Sequence, residues 1–359
     1  MEDEVVRRRR WLTREQFLDL LGATNLIPGP NSTELAIHVG HARAGWVGLV
    51  VAGTSFIAPA VLIVTACAWG YVEFGRLPEV AGILYGVKPV VIAVVLQALW
   101  RLGRTAIRGP VLAVLALAAA AASTLGAGEL AVLAGAALLA AMVHLVSPRT
   151  RSTPSSGSSA LFLVPVLPTS VIAAVGTGAA GSGATAAVGV WPLFAFFAKV
   201  GSVLFGSGYV LLAFLRGGLV EERGWLSEAQ LLDAVAIGQV TPGPVFTTAT
   251  FIGYLLAGVP GALAATIGIF LPAFVFVALS GPLVPRLRRS PVAGAILDGV
   301  NAASLALMGV VTVQLVRAAV VDGLTLVLAL VSAVCLVGLR VRSTWLVLGA
   351  AIVGLAAST

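Results

Sequence analysis

The chain has 359 residues, of which 59% are hydrophobic and only 10% are charged. A soluble globular protein carries about 25% charged residues, so this composition excludes an ordinary soluble fold. Arg and Lys exceed Asp and Glu, giving a net charge of +7, but the excess lies in short Arg clusters between apolar runs. This distribution indicates membrane topology and not a nucleic-acid site.

Apolar segments long enough to cross a bilayer recur along the chain. A membrane-spanning helix needs roughly 20 apolar residues. The uncharged stretches near or above that length are Ala44 to Val72, Pro110 to Gly128, Ala160 to Ala198 and Ala234 to Pro285. We therefore predict an all-α polytopic membrane protein with the lipid bilayer as a partner. Neither a cofactor nor a metal ion is expected, because Cys67 and Cys335 lie inside apolar segments and form no metal-ligand motif.

The first predicted element follows the basic run Arg7 to Arg10 and is interrupted by Pro28-Gly29-Pro30. Proline removes a backbone donor and glycine tolerates unusual dihedral angles, so the helix must break there. The next half-helix would begin at Asn31-Ser32-Thr33, where free N–H groups, hydroxyls and the positive end of the helix dipole favour an anion. A tight turn between two ordinary helices is the alternative.

Two further features belong to this element. If every Arg cluster lies on one side of the membrane, the segment from Leu12 to about Arg43 has both ends on that side. This predicts a re-entrant or tilted helical hairpin, with ordinary spanning helices as the alternative. Glu34 and His38 are four residues apart and share one helix face. A proton relay is one interpretation, but a helix-stabilising pair near the membrane interface is preferred.

A helix from about Ala81 to Trp100 is predicted next, between an acidic loop and a basic loop. Lys88 lies inside this apolar helix, and an intramembrane charge marks a functional position by default. The acidic loop spans Glu73 to Glu79, and the basic loop contains Arg101, Arg104 and Arg108.

The middle of the chain predicts a boundary between two halves. Residues 147–159 are rich in Ser, Pro and Arg, which cannot bury a core and indicate an exposed linker. A connecting helix with a Gly-rich loop is predicted at residues 160–190. The first half therefore covers residues 1–146, and the second half covers residues 191–359.

The second half contains two further candidate breaks. The first lies in Phe205-Gly206-Ser207-Gly208-Tyr209, where the Gly-Ser-Gly sequence can expose backbone amides to an anion. Lys199 precedes it and either attracts an anion or extends to the interface. The second break is Pro242-Gly243-Pro244, which follows Gln239-Val240-Thr241 and precedes Val245-Phe246-Thr247-Thr248.

The two Pro-Gly-Pro sequences belong to an internal repeat. A shift of about 214 residues, with a one-residue gap, aligns Trp11-Leu12 with Trp225-Leu226, Pro28 with Pro242, Pro59-Ala60 with Pro272-Ala273 and Gly86-Val87 with Gly299-Val300. Lys88 aligns with Asn301, so this position is polar in both halves. Two breaks in one register, both beside Ser or Thr, favour a functional break over a plain turn.

The Arg positions predict that the two halves are inverted in the membrane. In the second half, Glu221-Glu222-Arg223 aligns with the first Arg run, and Arg286, Arg288 and Arg289 occupy the loop whose counterpart is acidic. By the positive-inside rule the two repeats then face in opposite directions. One additional crossing in residues 160–190 would produce that inversion.

The motifs resemble those of the chromate transporter (CHR) family in its long, two-domain form. The resemblance rests on Arg9-Arg10-Trp11-Leu12, Phe17-Leu18-Asp19-Leu20, Asn25 to Thr33, Phe205 to Tyr209, and Gln239 to Pro244. It implies two homologous antiparallel halves and the export of chromate, which confers resistance. Sulfate is similar to chromate in charge and shape and is the expected competitor.

The substrate is expected to bind at the breaks, with no catalytic residue. The expected site residues are Pro28, Gly29, Pro30, Asn31, Ser32, Thr33, Lys88, Lys199, Gly206, Ser207, Gly208, Gln239, Thr241, Pro242, Gly243, Pro244 and Thr247. Chromate or sulfate is the expected partner, in the cytoplasmic membrane, and a homodimer is compatible with the sequence. The alternatives are an intramembrane enzyme and a membrane protein that does not transport.

The resemblance is incomplete at the start of the chain. The segment from Pro192 to Leu219 in the second half has no counterpart before Met1. We therefore expect the first membrane segment of the family to be absent from this sequence, because the start was placed late or because the gene is truncated. A chain with three of four breaks is expected to transport weakly or not at all.

Overall fold

The computed structural model describes residues 1–75, 77–146, 188–205, 208–288, 290–339 and 341–358. These residues form helices and connecting loops, and they contain no strand. The α-helices are α1 (Arg14–Thr24), α2 (Asn31–Phe74), α3 (Pro78–Ala106), α4 (Pro110–Thr124), α5 (Glu129–Val146), α6 (Val190–Val203), α7 (Leu211–Leu215), α8 (Glu228–Val240), α9 (Thr248–Arg288), α10 (Pro291–Ala319), α11 (Gly323–Val337) and α12 (Ser343–Ser358).

The helices confirm an all-α polytopic membrane protein. Among the described residues, α2, α3, α5, α9 and α10 are long and apolar enough to cross a membrane. The stretch predicted from Pro110 to Gly128 forms the shorter helix α4, which has 15 residues. The predicted linker and connecting helix lie outside the described residues.

The same capping signal starts α1 and α8. The Thr13 hydroxyl accepts a hydrogen bond from the Gln16 backbone, and the Gln16 side chain accepts one from the Thr13 backbone. Ser227 and Gln230 form the same reciprocal pair. Such capping boxes satisfy backbone donors that the first helical turn leaves unpaired. The repeated Trp-Leu-Thr/Ser sequence therefore fixes one helix start in each half.

The long helices α2 and α9 are each kinked at the same place in the repeat. Non-helical dihedral angles occur at Ala44 and Gly45 in α2, and at Ala257 and Gly258 in α9. The helix α1 has 11 residues, which gives a length of about 17 Å at 1.5 Å per residue. This length is well short of the roughly 30 Å hydrocarbon thickness. The short α1 agrees with a re-entrant hairpin, which stays a prediction.

The two halves interlock through equivalent helices. The helix α3 of the first half packs on α11 and α12 of the second half, whereas α10, its counterpart, packs on α4 and α5. Gly86 in α3 lies against Ala350 and Gly354 of α12, and Gly299 in α10 lies against Ala136 and Ala140 of α5. Each half therefore completes its packing with helices of the other.

The core surrounds α6, α7 and α9. The helix α6 packs along α9, and Leu193, Phe197, Leu204 and Phe246 are fully buried there. Leu204 directly follows α6, so the C-terminal end of this helix lies in the interior of the protein. A broken helix at membrane depth needs such cover, because lipid cannot satisfy its free backbone groups.

The end of α9 differs from the sequence-based expectation. Arg286, Arg288 and Arg289 were expected in a loop, but α9 continues to Arg288. Arg289 lies outside the described residues.

Candidate functional site

Both predicted Pro-Gly-Pro breaks are present. In the first half, α1 ends at Thr24 and α2 begins at Asn31; in the second half, α8 ends at Val240 and a 3₁₀ turn begins at Val245. The φ angles of Gly29 and Gly243 are +136° and +150°. These values are costly for a side chain that has a Cβ, which explains glycine at both positions.

Each break rests on the long helix of the other half. A methyl group placed at Gly29 would lie 3.6 Å from Cβ of Ala273, and one placed at Gly243 would overlap Cβ of Ala60. Ala60 and Ala273 are equivalent residues of the repeat. The glycine of each half thus meets the equivalent alanine of the other half. Such reciprocal contacts are the pattern of two-fold symmetry.

The interruption after α6 lies between the two Pro-Gly-Pro breaks. The carbonyl of Leu204 accepts a hydrogen bond of 2.8 Å from the Gly29 backbone N–H. On its other side, a methyl group at Gly208 would lie 3.5 Å from Cβ of Val245 and 3.7 Å from the ring of Phe246. All three predicted breaks therefore converge in the folded chain. Gly206 and Ser207 lie outside the described residues.

We call Pro28-Gly29-Pro30 the first break, Pro242-Gly243-Pro244 the second break and the interruption after α6 the third break. A cavity of about 380 Å³ opens where the first and third breaks meet. Phe205 and Val210 line it from the third break, and the C-terminal end of α3 and the middle of α10 close it. Its polar lining residues are Asn25, Asn31, Thr105, Arg108, Asp298, Asn301 and Ser304. We call this space the polar cavity.

Two side chains of the polar cavity, Arg108 and Ser304, have donors that could bind a ligand. Arg108 donates through Nε to the Thr105 carbonyl at 2.9 Å and forms no ion pair with any described residue. The hydroxyl of Ser304 is buried, 2% of the residue being exposed, and has no hydrogen-bond partner among the described atoms. A buried polar group without a partner is unfavourable, so a ligand that accepts hydrogen bonds would stabilise this lining.

The equivalent space in the other half is closed by an ion pair. This cavity of about 230 Å³ contains Tyr71, Lys88 and Asp233. The distance from Lys88 Nζ to Asp233 Oδ1 is 2.9 Å, and the Tyr71 hydroxyl donates to Asp233 Oδ2 at 2.9 Å. We call it the ion-pair cavity. Four residues of the ion-pair cavity align with residues of the polar cavity. In each pair the residue of the ion-pair cavity comes first: Lys88 and Asn301, Tyr85 and Asp298, Ala318 and Thr105, and Val321 and Arg108.

The residues predicted around the first break are brought together. Pro28, Gly29 and Pro30 are buried. Asn31 donates through Nδ2 to Asn25 Oδ1 at 2.9 Å, at the edge of the polar cavity. Thr33 is fully buried and its hydroxyl has no partner among the described atoms, whereas Ser32 is exposed.

The residues predicted around the second break have other roles. Pro242 and Gly243 are exposed, and Pro244 is buried. The Thr247 hydroxyl donates to the Pro244 carbonyl, and the Thr241 hydroxyl donates to the Ile237 carbonyl, both at 2.8 Å. Thr241 also lines a mostly apolar pocket beside Cys67. Nε2 of Gln239 is buried without a partner among the described atoms.

The two predicted lysines lie away from the polar cavity. Lys88 is paired with Asp233 in the ion-pair cavity. Lys199 is exposed, and it lies close enough to Glu129 for an electrostatic interaction. Neither lysine lines the polar cavity, so its cation is Arg108, which sequence reasoning assigned to topology alone.

Glu34 and His38 do not form a pair near the membrane interface. Glu34 is 0% exposed, His38 is 6% exposed, and both Glu34 oxygens and Nε2 of His38 lack hydrogen-bond partners among the described atoms. A methyl group placed at Gly29 would overlap Oε1 of Glu34. The carboxyl group therefore lies directly against the first break, where no helix-stabilising hydrogen bond explains it.

Sequence reasoning missed Asn25, Asn301 and Ser304 as site residues. A signal was available for two of them, because Asn25 aligns with Gln239 and Asn301 aligns with Lys88. Ser304 aligns with Val91, so the repeat gave no indication of its role. Within the described ranges, no three His, Cys, Asp or Glu side chains come together as metal ligands.

Comparisons with known proteins agree with the sequence motifs. The protein family described as chromate transporter matches residues 1–142 and 191–355. A chromate transport protein of Cupriavidus metallidurans is 33% identical over 99% of this chain and 87% of its own length. A chromate transport protein of Pseudomonas aeruginosa is 31% identical over 88% of this chain and 74% of its own length.

A more distant relative extends the comparison. A probable chromate transport protein of Synechococcus elongatus is 29% identical, over 92% of this chain and 82% of its own length. No solved structure matches the chain.

Proposed function

The chain belongs to the chromate transporter family, and we propose that it exports chromate across the cytoplasmic membrane as a secondary transporter. Sulfate, a dianion of similar shape, is the proposed second substrate. The protein is proposed to carry out no chemical reaction on either anion. The relatives named as chromate transport proteins support the substrate.

The polar cavity is the observation that carries this proposal. It lies where two helix breaks meet, and it offers one cation with no ion pair among the described residues, together with several neutral donors. An oxyanion accepts hydrogen bonds on all its oxygens, and Arg presents a fork of N–H donors that suits such a group. Asp298 also lines the cavity, so the site is less positive than Arg108 alone would make it.

Named residues have separate proposed roles. Arg108 attracts the anion, Asn301 and Ser304 donate to its oxygens, and Asn31 joins the cavity to the start of α2. No side chain caps that helix start. The N–H groups of Thr33 and Glu34 donate to the Pro30 carbonyl, so those of Asn31 and Ser32 are the ones left for a bound anion. The predicted residues of the second break are proposed to contribute after the halves move, except Thr247, whose hydroxyl donates to the carbonyl of Pro244.

Access from the two sides is proposed to alternate between the equivalent cavities. The reciprocal contacts of Gly29 with Ala273 and Gly243 with Ala60 support a two-fold relation between the halves. The opposite Arg bias of the halves supports an axis in the membrane plane. The polar cavity is then open while the Lys88–Asp233 pair closes its counterpart, and transport exchanges the two arrangements.

The membrane potential can drive export of a dianion. Moving one charge through 100 mV is worth about 2.3 kcal/mol, so a doubly charged anion leaving a negative interior gains about 4.6 kcal/mol. This drives outward movement without ATP.

Uptake into everted membrane vesicles tests the proposal. Vesicles with the protein should accumulate chromate when the potential is imposed, and Arg108→Gln should lower the initial rate about tenfold, which corresponds to about 1.4 kcal/mol of lost binding. Arg104→Gln is the matched control, because this arginine lies in the last turn of α3, four residues before Arg108, but does not line the cavity. Equal effects of both variants, or no uptake, would contradict the proposal. Turnover of lipid or peptide without anion uptake would favour the enzyme alternative.

A further inference from the structure

The buried face of α2 carries three titratable side chains in a row. Glu34, His38 and His41 are spaced by four and three residues, so they follow one another along one helix face. Glu34 contacts Gly29 of the first break, and His38 is close enough to His41 for an electrostatic interaction. His41 is half-buried, and its ring meets Trp46 edge-on at 5.6 Å, beside the kink at Ala44 and Gly45.

Neither Glu34 nor His38 has a structural partner that explains its burial. Both Glu34 oxygens and His38 Nε2 are without hydrogen bonds among the described atoms. A carboxylate without a donor or a cation is strongly disfavoured in an apolar interior, so the neutral acid is the stable form of Glu34 in this arrangement.

The described elements around α2 supply no cation that pairs with Glu34. The N-terminal segment Asp3–Arg8 packs on α2 through Val5, but its Arg7 and Arg8 pair with Asp3 and Glu4. The helix α9, which packs on α2, has no titratable side chain between Thr248 and Pro285 other than Tyr254. On α8, Glu228 is paired with Arg216 and Asp233 with Lys88. On α1, Arg14 pairs with Glu2, and Glu15 and Asp19 are exposed. The charges of the polar cavity are Arg108 and Asp298.

We propose that Glu34 binds a proton that is transported together with the oxyanion, and that His38 and His41 conduct this proton along α2. The proposal rests on the proposed function, because it needs an oxyanion at the first break. An ionised Glu34 in the first turn of α2 would neutralise the positive helix end and repel a dianion. The proton forms an O–H bond with the carboxylate, so one negative charge moves in each cycle instead of two.

The equivalent position of the second half provides a contrast. Glu34 aligns with the Thr247-Thr248 pair, whose hydroxyls donate to the carbonyls of Pro244 and Val245. These hydroxyls do not change charge in the neutral pH range. A single proton per chain therefore enters through the first half alone.

Proton uptake on chromate addition tests this coupling. The purified full chain, in detergent and a weakly buffered solution at a pH above the ionisation of Glu34 in the chromate-free protein, should take up close to one proton for each chromate bound. Its apparent affinity for chromate should fall about tenfold for each unit of rising pH above the ionisation of Glu34, as linkage to one proton requires. Glu34→Gln should show no proton uptake and a flat affinity, and Glu15→Gln, with an exposed carboxyl group removed, should behave as the wild type.

The outcomes separate this coupling from transport itself. Chromate binding by the wild type without proton uptake, or undiminished uptake in Glu34→Gln, would overturn the coupling and leave the proposed function intact. No chromate binding by the wild type would overturn both. If Glu34→Gln does not fold, Glu34→Asp is the second variant. Its shorter carboxyl group should shift the midpoint of the pH dependence of chromate affinity. An unchanged midpoint would refute the role of Glu34.

Discussion

The two Pro-Gly-Pro breaks share one backbone but have different surroundings. Gly29 and Gly243 have similar φ angles, and each meets an equivalent alanine of the opposite half. The first break is buried, hydrogen-bonded to Leu204 and in contact with Glu34. The second break is exposed at Pro242 and Gly243 and precedes threonines that cap their own backbone. A duplicated backbone therefore carries two different chemical environments.

The two equivalent cavities differ in the same way. In the polar cavity, Asn301 and Arg108 are available to a ligand; at the aligned positions of the ion-pair cavity lie Lys88, which is paired, and Val321, which has no charge. One cavity is therefore open and polar, and its counterpart is closed by an ion pair.

Removing the prolines of the first break should have the largest effect. Pro28→Ala with Pro30→Ala allows α1 and α2 to join, and the loss of the buried break should lower chromate uptake roughly 100-fold while the protein stays in the membrane. Pro242→Ala with Pro244→Ala, at the exposed break, should lower it less. Ile27→Val is the control for a neighbouring apolar residue. Full activity of the first variant would mean that the break is only a turn.

Cysteine accessibility should separate the loops at the ends of α2 and α9. Cysteines at Pro78 and Arg288 should react with an impermeant thiol reagent from opposite sides of the membrane, because the repeats are predicted to be inverted. A cysteine at Ser155, in the predicted linker, should react from the cytoplasmic side. Labelling of Pro78 and Arg288 positions from one side would refute the inversion, although the two-fold contacts would remain.

The ion pair of the closed cavity can be tested with a double-mutant cycle. Lys88→Met leaves Asp233, whose side chain is 7% exposed, without its cation and should lower stability by about 3 kcal/mol. Adding Asp233→Asn should recover most of that loss, since no buried charge remains. Thermal unfolding in detergent measures both. Additive losses would show that the pair does not act as a unit.

A single hydroxyl should give the smallest effect. Thr33→Val removes a buried hydroxyl with no partner and should raise the KM for chromate about fivefold, the equivalent of one hydrogen bond of about 1 kcal/mol. Thr247→Val removes a hydroxyl that caps its own backbone and should leave the KM unchanged. Equal changes in both variants would show that the first break has no special contact with the anion.

The sequence predicted the membrane class and the backbone breaks because these depend on local physical properties. An uninterrupted apolar run must span or enter a bilayer, and Pro-Gly-Pro breaks a helix whatever surrounds it. The repeat identified equivalent positions, and the chain's motifs identified its family. These conclusions depend only on residues that are neighbours in sequence, or on the comparison of one motif with a second copy of it.

The tertiary structure decided which polar residues share a cavity. Arg108 and Asn301 lie in different halves, and they meet because α3 and α10 each pack among helices of the other half. Lys88 carries the same charge as Arg108, but Asp233 neutralises it. The spacing of Glu34 and His38 favoured a helix-stabilising pair near the membrane interface, but Glu34 is buried against Gly29. Whether a charge is free or paired depends on its partner across space, which spacing along the chain does not specify.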